Sequence, residues 1–270
     1  MPITVQDVIK LKSAMAENGL DLEAKRFSLS KDNYDLLVTM LDQIDQPSKD
    51  VVIDFVKYYD IIKTYDRHIY KVMQELSLRH EERIILFPLR RKNNNVTKSG
   101  DAILYDFKAI ATVEFPEKFV FRDSPFNQKM LSSGLPKYAV DDFVGTGEQF
   151  LSMFDEMVAE YAKVSLQGVA CVVAMRGGAQ RLREGGFHVA ASELKDRAIA
   201  DYLTNAGRDT AACYAIYDKM EASLQVDAVD QRGRNASEAL LSLKRTPNNT
   251  LPIFWSLGKD KKWPAPFKRA

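Results

Sequence analysis

Residues 138–150 constrain the fold of this chain more than any other stretch: Tyr138-Ala139-Val140-Asp141-Asp142-Phe143-Val144-Gly145-Thr146-Gly147-Glu148-Gln149-Phe150. An apolar run ends in two adjacent carboxylates, passes through Gly-Thr-Gly and opens into a helical pattern. Apolar runs of this kind belong to parallel strands buried on both faces. Two acids in a row are costly there unless they sit at the strand's carboxyl end, where open α/β sheets bind ligands. Gly145 and Gly147 permit a tight turn that brings several backbone N–H groups onto one anion, with the positive end of the next helix behind them. Thr146 adds a hydroxyl. The segment predicts a phosphate cradle beside two carboxylates spaced to hold the hydroxyls of an attached sugar.

The flanking sequence agrees with a parallel sheet. Ile84-Ile85-Leu86-Phe87 reads as a buried strand, and Ala102-Ile103-Leu104-Tyr105-Asp106-Phe107 as another. Phe150, Leu151, Phe154, Met157, Val158, Tyr161 and Val164 mark one helix face. Residues 169–175 are a fully apolar strand. Arg176-Gly177-Gly178 then opens a short helix through Arg183, Gly185-Gly186 stops it, and Phe187-His188-Val189-Ala190 reads as the next strand. Strand–helix–strand–helix–strand implies right-handed crossovers. Gly177-Gly178 lacks the spacing of a dinucleotide fingerprint, and there is no Walker-type loop. Helices are expected around 194–203 and from Asp209 to about 224.

Residues 1–80 have another texture, nearly without glycine and with apolar residues at helical spacing. Thr4 caps a predicted helix to Glu17, which Asn18-Gly19 stops; Ser30 caps a second through Leu41. Pro47-Ser48 opens a long helix, with Ser48 as N-cap. Its apolar face, Val52, Phe55, Val56, Tyr59 and Ile62, continues through Ile69, Met73 and Leu76. The predicted organisation is an all-helical unit over 1–80, an α/β domain with a C-terminal cap over 81–256, and a basic tail over 257–270.

Hydrophobic content of 46%, charged content of 28% and a net charge of +1 over 270 residues describe a soluble globular protein without a global basic field. No apolar run approaches a membrane span, and the N-terminus lacks a secretion signal's pattern. Cys171 and Cys213 read as small core residues in a reducing cytoplasm. His188, alone in an apolar strand, reads as structural, and no His/Cys cluster has metal-ligand spacing. Lys259-Asp260-Lys261-Lys262-Trp263-Pro264-Ala265-Pro266-Phe267-Lys268-Arg269 has two readings: a frayed, solvated terminus, which is favoured, or an RNA or DNA contact through cations and stacking.

The Asp-Asp, two apolar residues and Thr-Gly loop resemble the phosphoribosyl pyrophosphate (PRPP) motif of type I phosphoribosyltransferases. The resemblance implies that Asp141 and Asp142 contact the ribose hydroxyls and that Val144, Gly145, Thr146, Gly147, Glu148 and Gln149 form the 5′-phosphate loop. Gln149 stands where many members carry a hydroxyl residue. In the basic loop of residues 90–100, Lys98, Ser99 and Gly100 are the candidates for binding pyrophosphate; a solvated connector is the alternative. Thr246-Pro247-Asn248-Asn249-Thr250-Leu251-Pro252-Ile253-Phe254-Trp255 reads as an ordered turn whose Asn248 and Asn249 are candidate cap contacts. Together, the two strings look like bacterial phosphoribosyltransferase-like proteins of conflict systems, some encoded beside retron reverse transcriptases as anti-phage effectors.

The resemblance implies chemistry at the anomeric carbon of ribose 5-phosphate, by PRPP-dependent transfer or nucleotide cleavage. Asp141, Asp142 and Lys98 would carry it, with Mg²⁺ arriving on the substrate and Asp141 and Asp142 as its possible ligands. The implied role is a toxin-like effector, and the implied partner a retron reverse transcriptase–RNA/DNA complex or another defence protein. Two alternatives are a catalytically silent PRPP or nucleotide sensor and a structural subunit of a defence complex.

Overall fold

The computed structural model describes residues 2–20, 29–90, 92 and 99–269. In chain order its elements are α1 (Val5–Glu17), α2 (Lys31–Asp42), α3 (Gln46–Val56), β1 (Asp60–Ile61), α4 (Asp66–Arg79), β2 (Ile84–Pro88), α5 (Ser99–Glu114), β3 (Phe119–Phe121), α6 (Gln128–Leu131), β4 (Lys137–Val144), α7 (Glu148–Glu160), β5 (Gly168–Met175), α8 (Arg176–Glu184), β6 (His188–Lys195), a π-helical turn (Ala198–Leu203), α9 (Thr210–Ala222) and β7 (Leu241–Ser242). They fall into two units, one made of 1–63 with 196–270, the other of 64–195. This division differs from the one read along the sequence. Helix α4 belongs with the sheet, and the residues after 195 return to the N-terminal helices.

The unit of residues 64–195 is a five-stranded sheet, ordered β3-β2-β4-β5-β6 with every pairing parallel. Every residue of β5 is buried, as its unbroken apolar run requires. One face packs Ile85, Phe87, Ala139, Val169 and Cys171 against Phe150, Met153 and Met157 of α7 and Ala179 and Leu182 of α8. Helices α4 and α5 contact the same strands, through stripes that include Val72, Met73 and Leu76 on α4 and Ile103 and Phe107 on α5. The predicted α/β class, a parallel sheet flanked by helices, is what folds.

Several boundaries differ from expectation. Residues 102–107 are helix, not strand: Ile103, Leu104, Phe107 and Ala111 are buried at helical spacing while Tyr105 is 75% exposed. Six residues of mixed polarity do not separate the two periods. Helix α7 ends at Glu160, before Val164. Strand β6 runs on to Lys195, where a helix was expected to begin, because its ladder with β5 continues to Met175↔Lys195.

In the other unit, Thr4 caps α1 and shares a capping box with Asp7, and Ser30 caps α2, both as expected. Asp45, not Ser48, caps α3, its carboxylate accepting the Ser48 N–H at 3.1 Å. The long helix expected from 48 onward stops at Val56. Asp60 then donates to the Leu240 carbonyl (3.0 Å) and Ile62 to that of Ser242 (2.8 Å), which builds the parallel pair β1–β7. A partner so distant in sequence leaves no trace in local periodicity. The core of this unit gathers Leu11, Phe55, Tyr59, Tyr217, Phe254 and Phe267.

The C-terminal segment belongs to that core and is not frayed. Phe267 is 6% exposed and stacks on Tyr59 with ring centroids 4.3 Å apart. The Trp263 indole N–H donates to the Ile253 carbonyl at 2.7 Å. Both aromatics offered for nucleic-acid stacking are thereby used in packing.

Candidate functional site

Within the sheet, counted in chain order, the strands run 2-1-3-4-5, so the order reverses between β2 and β4. Crevices at the carboxyl ends of strands flanking such a reversal are where open α/β sheets bind ligands. Four predicted features meet there. Strand β4 carries Asp141 and Asp142 and ends at Val144, residues 145–147 turn, and α7 starts at Glu148. Just past β2, Leu89 donates its N–H to the Val140 carbonyl at 2.8 Å. Gly100, in the first turn of α5, sits so close that a Cβ would lie 3.0 Å from the Leu89 nitrogen and 3.1 Å from the Val140 oxygen. The Gln149 side-chain amide reaches back to the Leu89 carbonyl at 3.3 Å.

The turn is shaped for an anion. Gly147 is the N-cap of the 13-residue α7 with φ +78° and ψ −6°, and no side chain caps the helix. The first N–H groups of α7 therefore face outward with no helical acceptor, at the positive end of the helix dipole. Val144 is buried, Gly145 and Thr146 are half-buried, and Glu148 and Gln149 are exposed. Glu148 pairs with Arg181 at 2.8 Å.

One residue essential to this shape escaped the sequence reading. A Cβ on Gly178, in the first turn of α8, would lie 1.9 Å from the Gly145 carbonyl oxygen. Only a glycine lets the turn rest on α8, and the Gly-Gly pair after an apolar strand was the available signal. Gly147 is less tight, since a Cβ there would lie 3.0 Å from the Leu182 side chain, but its φ of +78° favours glycine.

The carboxylates differ from each other and from expectation. The ladder between β4 and β5 continues past them to Val144↔Ala174, so they lie inside the strand and not at its tip. Asp141 is 3% exposed and its Oδ1 accepts the Asp142 N–H at 2.9 Å. Asp142 is half-buried, and Oδ2 accepts the hydroxyl of Tyr65 at 3.4 Å. Tyr65, the residue before α4, is a second site neighbour that the sequence did not announce. Three residues on, His68 Nδ1 lies 3.0 Å from Ser192 Oγ and 3.4 Å from Glu193 Oε1. Burial pushes the His68 imidazole down, against the pull of Glu193. Burial raises the Cys171 thiol well above its ordinary value, and Asp141 and Asp142 push it further, so this fully buried sulfur is a core residue and no nucleophile.

Of the pyrophosphate candidates, Lys98 lies outside the described residues, Ser99 begins α5, and Gly100 packs as above. Arg90 pairs with Asp101 of the same helix at 3.3 Å. Asn248 and Asn249 belong to the other unit and stabilise its turns: the Asn248 carbonyl accepts the Arg234 N–H at 2.8 Å, and the Asn249 amide donates to Ser237 Oγ at 3.1 Å. His188 Nδ1 lies 3.2 Å from the Tyr138 hydroxyl, and Nε2 lies 3.1 Å from Glu75, at the amino ends of the strands. Among the described residues, no group of three or more His, Cys, Asp or Glu is placed to hold a metal. Asp141 and Asp142 are neighbours inside a strand, where successive side chains leave opposite faces, so half-buried Asp142 is the one of the two open to a hard cation such as Mg²⁺ that brings its remaining ligands on a substrate. No described helix is long and apolar enough to cross a membrane.

Sheet order, glycine turn and paired acids together define a protein of the type I phosphoribosyltransferase fold. The chain belongs to the PRTase-CE family, whose model matches residues 27–269. No curated protein matches the chain. Among solved structures it is similar to orotate phosphoribosyltransferase from Aeropyrum pernix, with 12% identity over 53% of this chain and 76% of that one, at a TM-score of 0.32. It is also similar to orotate phosphoribosyltransferase from Mycobacterium tuberculosis H37Rv in complex with 5-phospho-alpha-D-ribosyl 1-diphosphate, with 14% identity over 60% and 96% at 0.32. UMP synthase from Leishmania donovani gives 12% over 77% and 46% at 0.34. At such distances the site residues stand on their own geometry.

Proposed function

We propose that residues 64–195 bind a ribose 5-phosphate group and act at its anomeric carbon, transferring the phosphoribosyl group from PRPP or cleaving a nucleotide. The observation that carries this reading is the uncapped, glycine-turned start of α7 beside Asp142 at the sheet's reversal point. The cradle would fix the 5′-phosphate, and Asp142, backed by Asp141, would hold the ribose hydroxyls. With both ends fixed, the bond from C1 to its leaving group breaks as the acceptor approaches, and positioning supplies much of the rate. Charge grows on the departing group, and the backbone N–H groups at the start of α5, with Lys98, are the stabilisers assigned to it. Bound Mg²⁺ would supply charge neutralisation on pyrophosphate. In keeping with the sequence resemblance, the proposed setting is an effector of a bacterial anti-phage system of the retron type, partnered by a reverse transcriptase–nucleic acid complex.

One observation favours a second reading, a silent PRPP or nucleotide sensor: Gln149 is engaged with the Leu89 carbonyl where a ligand-binding hydroxyl is common in the resembled family. Calorimetry with PRPP and nucleotides, with and without Mg²⁺, followed by chromatography of the same mixtures, separates the two. Turnover lost in Asp142→Asn supports the enzyme, and binding without turnover supports the sensor. A chain that binds no member of the panel refutes both. Lys98→Ala should lower turnover by roughly two orders of magnitude while ribose 5-phosphate affinity stays nearly unchanged.

A further inference from the structure

Within the unit of 1–63 and 196–270, α9 and the segment after it line a half-open cavity of about 590 Å³, the size of a small-molecule site. Its walls include Asp218, Glu221, Gln225, Val226, Val229 and Arg232. Glu221 is 5% exposed. Its Oε1 accepts the Tyr217 hydroxyl at 2.9 Å and the Arg232 N–H at 2.8 Å. Its Oε2 has no hydrogen-bond partner among the described residues and is not sealed from solvent, so it is open to a donor in the cleft.

The backbone around this carboxylate is strained. Gln225, Arg232, Asn235 and Ala236, all lining the cavity, have φ of +49°, +52°, +53° and +53°. Residues with a Cβ rarely occupy this region, and where they do the surroundings must over-determine them, as happens at ligand clamps. Here three anchors do so. Glu238, 2% exposed, accepts the Ile199 and Ala200 N–H groups at 2.8 and 3.1 Å. Gly233 packs so tightly that a Cβ would lie 2.0 Å from the Asn249 carbonyl oxygen. The Arg232 guanidinium pairs with Asp218 and lies 4.3 Å over the Tyr214 ring.

Charge selects the ligand. Arg232 is matched to Asp218, and with Glu221 the cleft wall carries two carboxylates against one guanidinium, which disfavours phosphates and carboxylates. Gln225 and Gln231 offer amide oxygens, and Val226, Ala228 and Val229 give an apolar wall. We propose that this cavity binds a small aliphatic organic cation, an amine or guanidinium compound, with its charged head on Glu221 Oε2 and its carbon chain along Val226 and Val229.

The test is calorimetry of the full chain with putrescine and agmatine, against 1-butanol as neutral analogue and glutarate as anion. The cations should bind and the other two should not. Glu221→Gln should weaken cation binding by at least about tenfold, as expected for a lost charge-assisted hydrogen bond. Val229→Trp, at a position 42% exposed, should fill the cavity and remove binding while circular dichroism stays native. Absence of cation binding, equal binding of the neutral or anionic compound, or unchanged affinity in either variant overturns the proposal. If Glu221→Gln does not fold, Val229→Trp decides alone.

Discussion

Two adjacent glycines show how unevenly single positions matter. Gly178 lies against the Gly145 carbonyl, whereas a Cβ on Gly177 would meet nothing within 4 Å. Gly178→Ala should push the turn off α8, cost about 1–3 kcal/mol by overpacking and weaken binding of ribose 5-phosphate. Gly177→Ala should leave binding intact and stabilise the chain by up to about 1 kcal/mol, since alanine suits a helix better. Thermal melts and calorimetry on the pair check both; equal effects would mean that the close approach is not what shapes the cradle. Gly147→Val combines a φ of +78° with a Leu182 contact at 3.0 Å, so nucleotide binding should fail while nucleoside binding survives.

At the scale of elements, α1 is fixed by its first turn. Asp7, 2% exposed, completes the capping box with Thr4, accepts from the Gln46 amide at 2.9 Å and lies 3.8 Å from the fully buried Lys49 ammonium. Burial alone would raise its carboxyl, but the hydrogen bonds from Gln46 and Thr4 and the charge of Lys49 outweigh it and hold the group at about 2. Removing one partner of a buried ion pair costs about 3–5 kcal/mol, so Asp7→Ala should lower stability on that scale in denaturant titrations. The sign of the pH effect follows. The folded value lies below the ordinary 3.8, so this stability is complete above that value and is lost as pH falls toward about 2. The Asp7→Ala chain should lack that part of the acid transition.

For the whole molecule, residues 64–195 are contiguous, and their sheet and helices form one unit. Expressed alone, they should give a cooperatively melting α/β domain. Residues 1–63 alone should not fold, because Phe55 and Tyr59 pack on Tyr217, Phe254 and Phe267; a folded 1–63 fragment would refute that dependence. A second prediction concerns neutral to mildly acid pH. Burial holds the His68 and His80 imidazoles below their ordinary value of 6.5. The unfolded chain then binds more protons as pH drops, so stability is complete above the ordinary value and declines below it. Melting temperatures should fall between about pH 7 and 5, and His80→Gln should flatten that slope.

The sequence by itself determined the elements whose signal is local: the unbroken apolar run of β5, the caps at Thr4, Ser30 and Asp209, and the Asp141-Asp142…Gly145-Thr146-Gly147 order that joins a strand to a helix. It therefore showed the α/β class and the strand–turn–helix on which the proposed cradle is built. The tertiary structure alone decided what depends on distant partners. Residues 102–107 became helix because their buried side chains recur at helical spacing. The helix expected past Val56 gave way to β1 because β7, far along the chain, supplies its hydrogen bonds. Tyr65 and Gly178 joined the site, and Phe267 entered a core, through contacts made only once the chain has closed on itself. Such contacts belong to pairs of segments and not to either one, which is why no local periodicity records them.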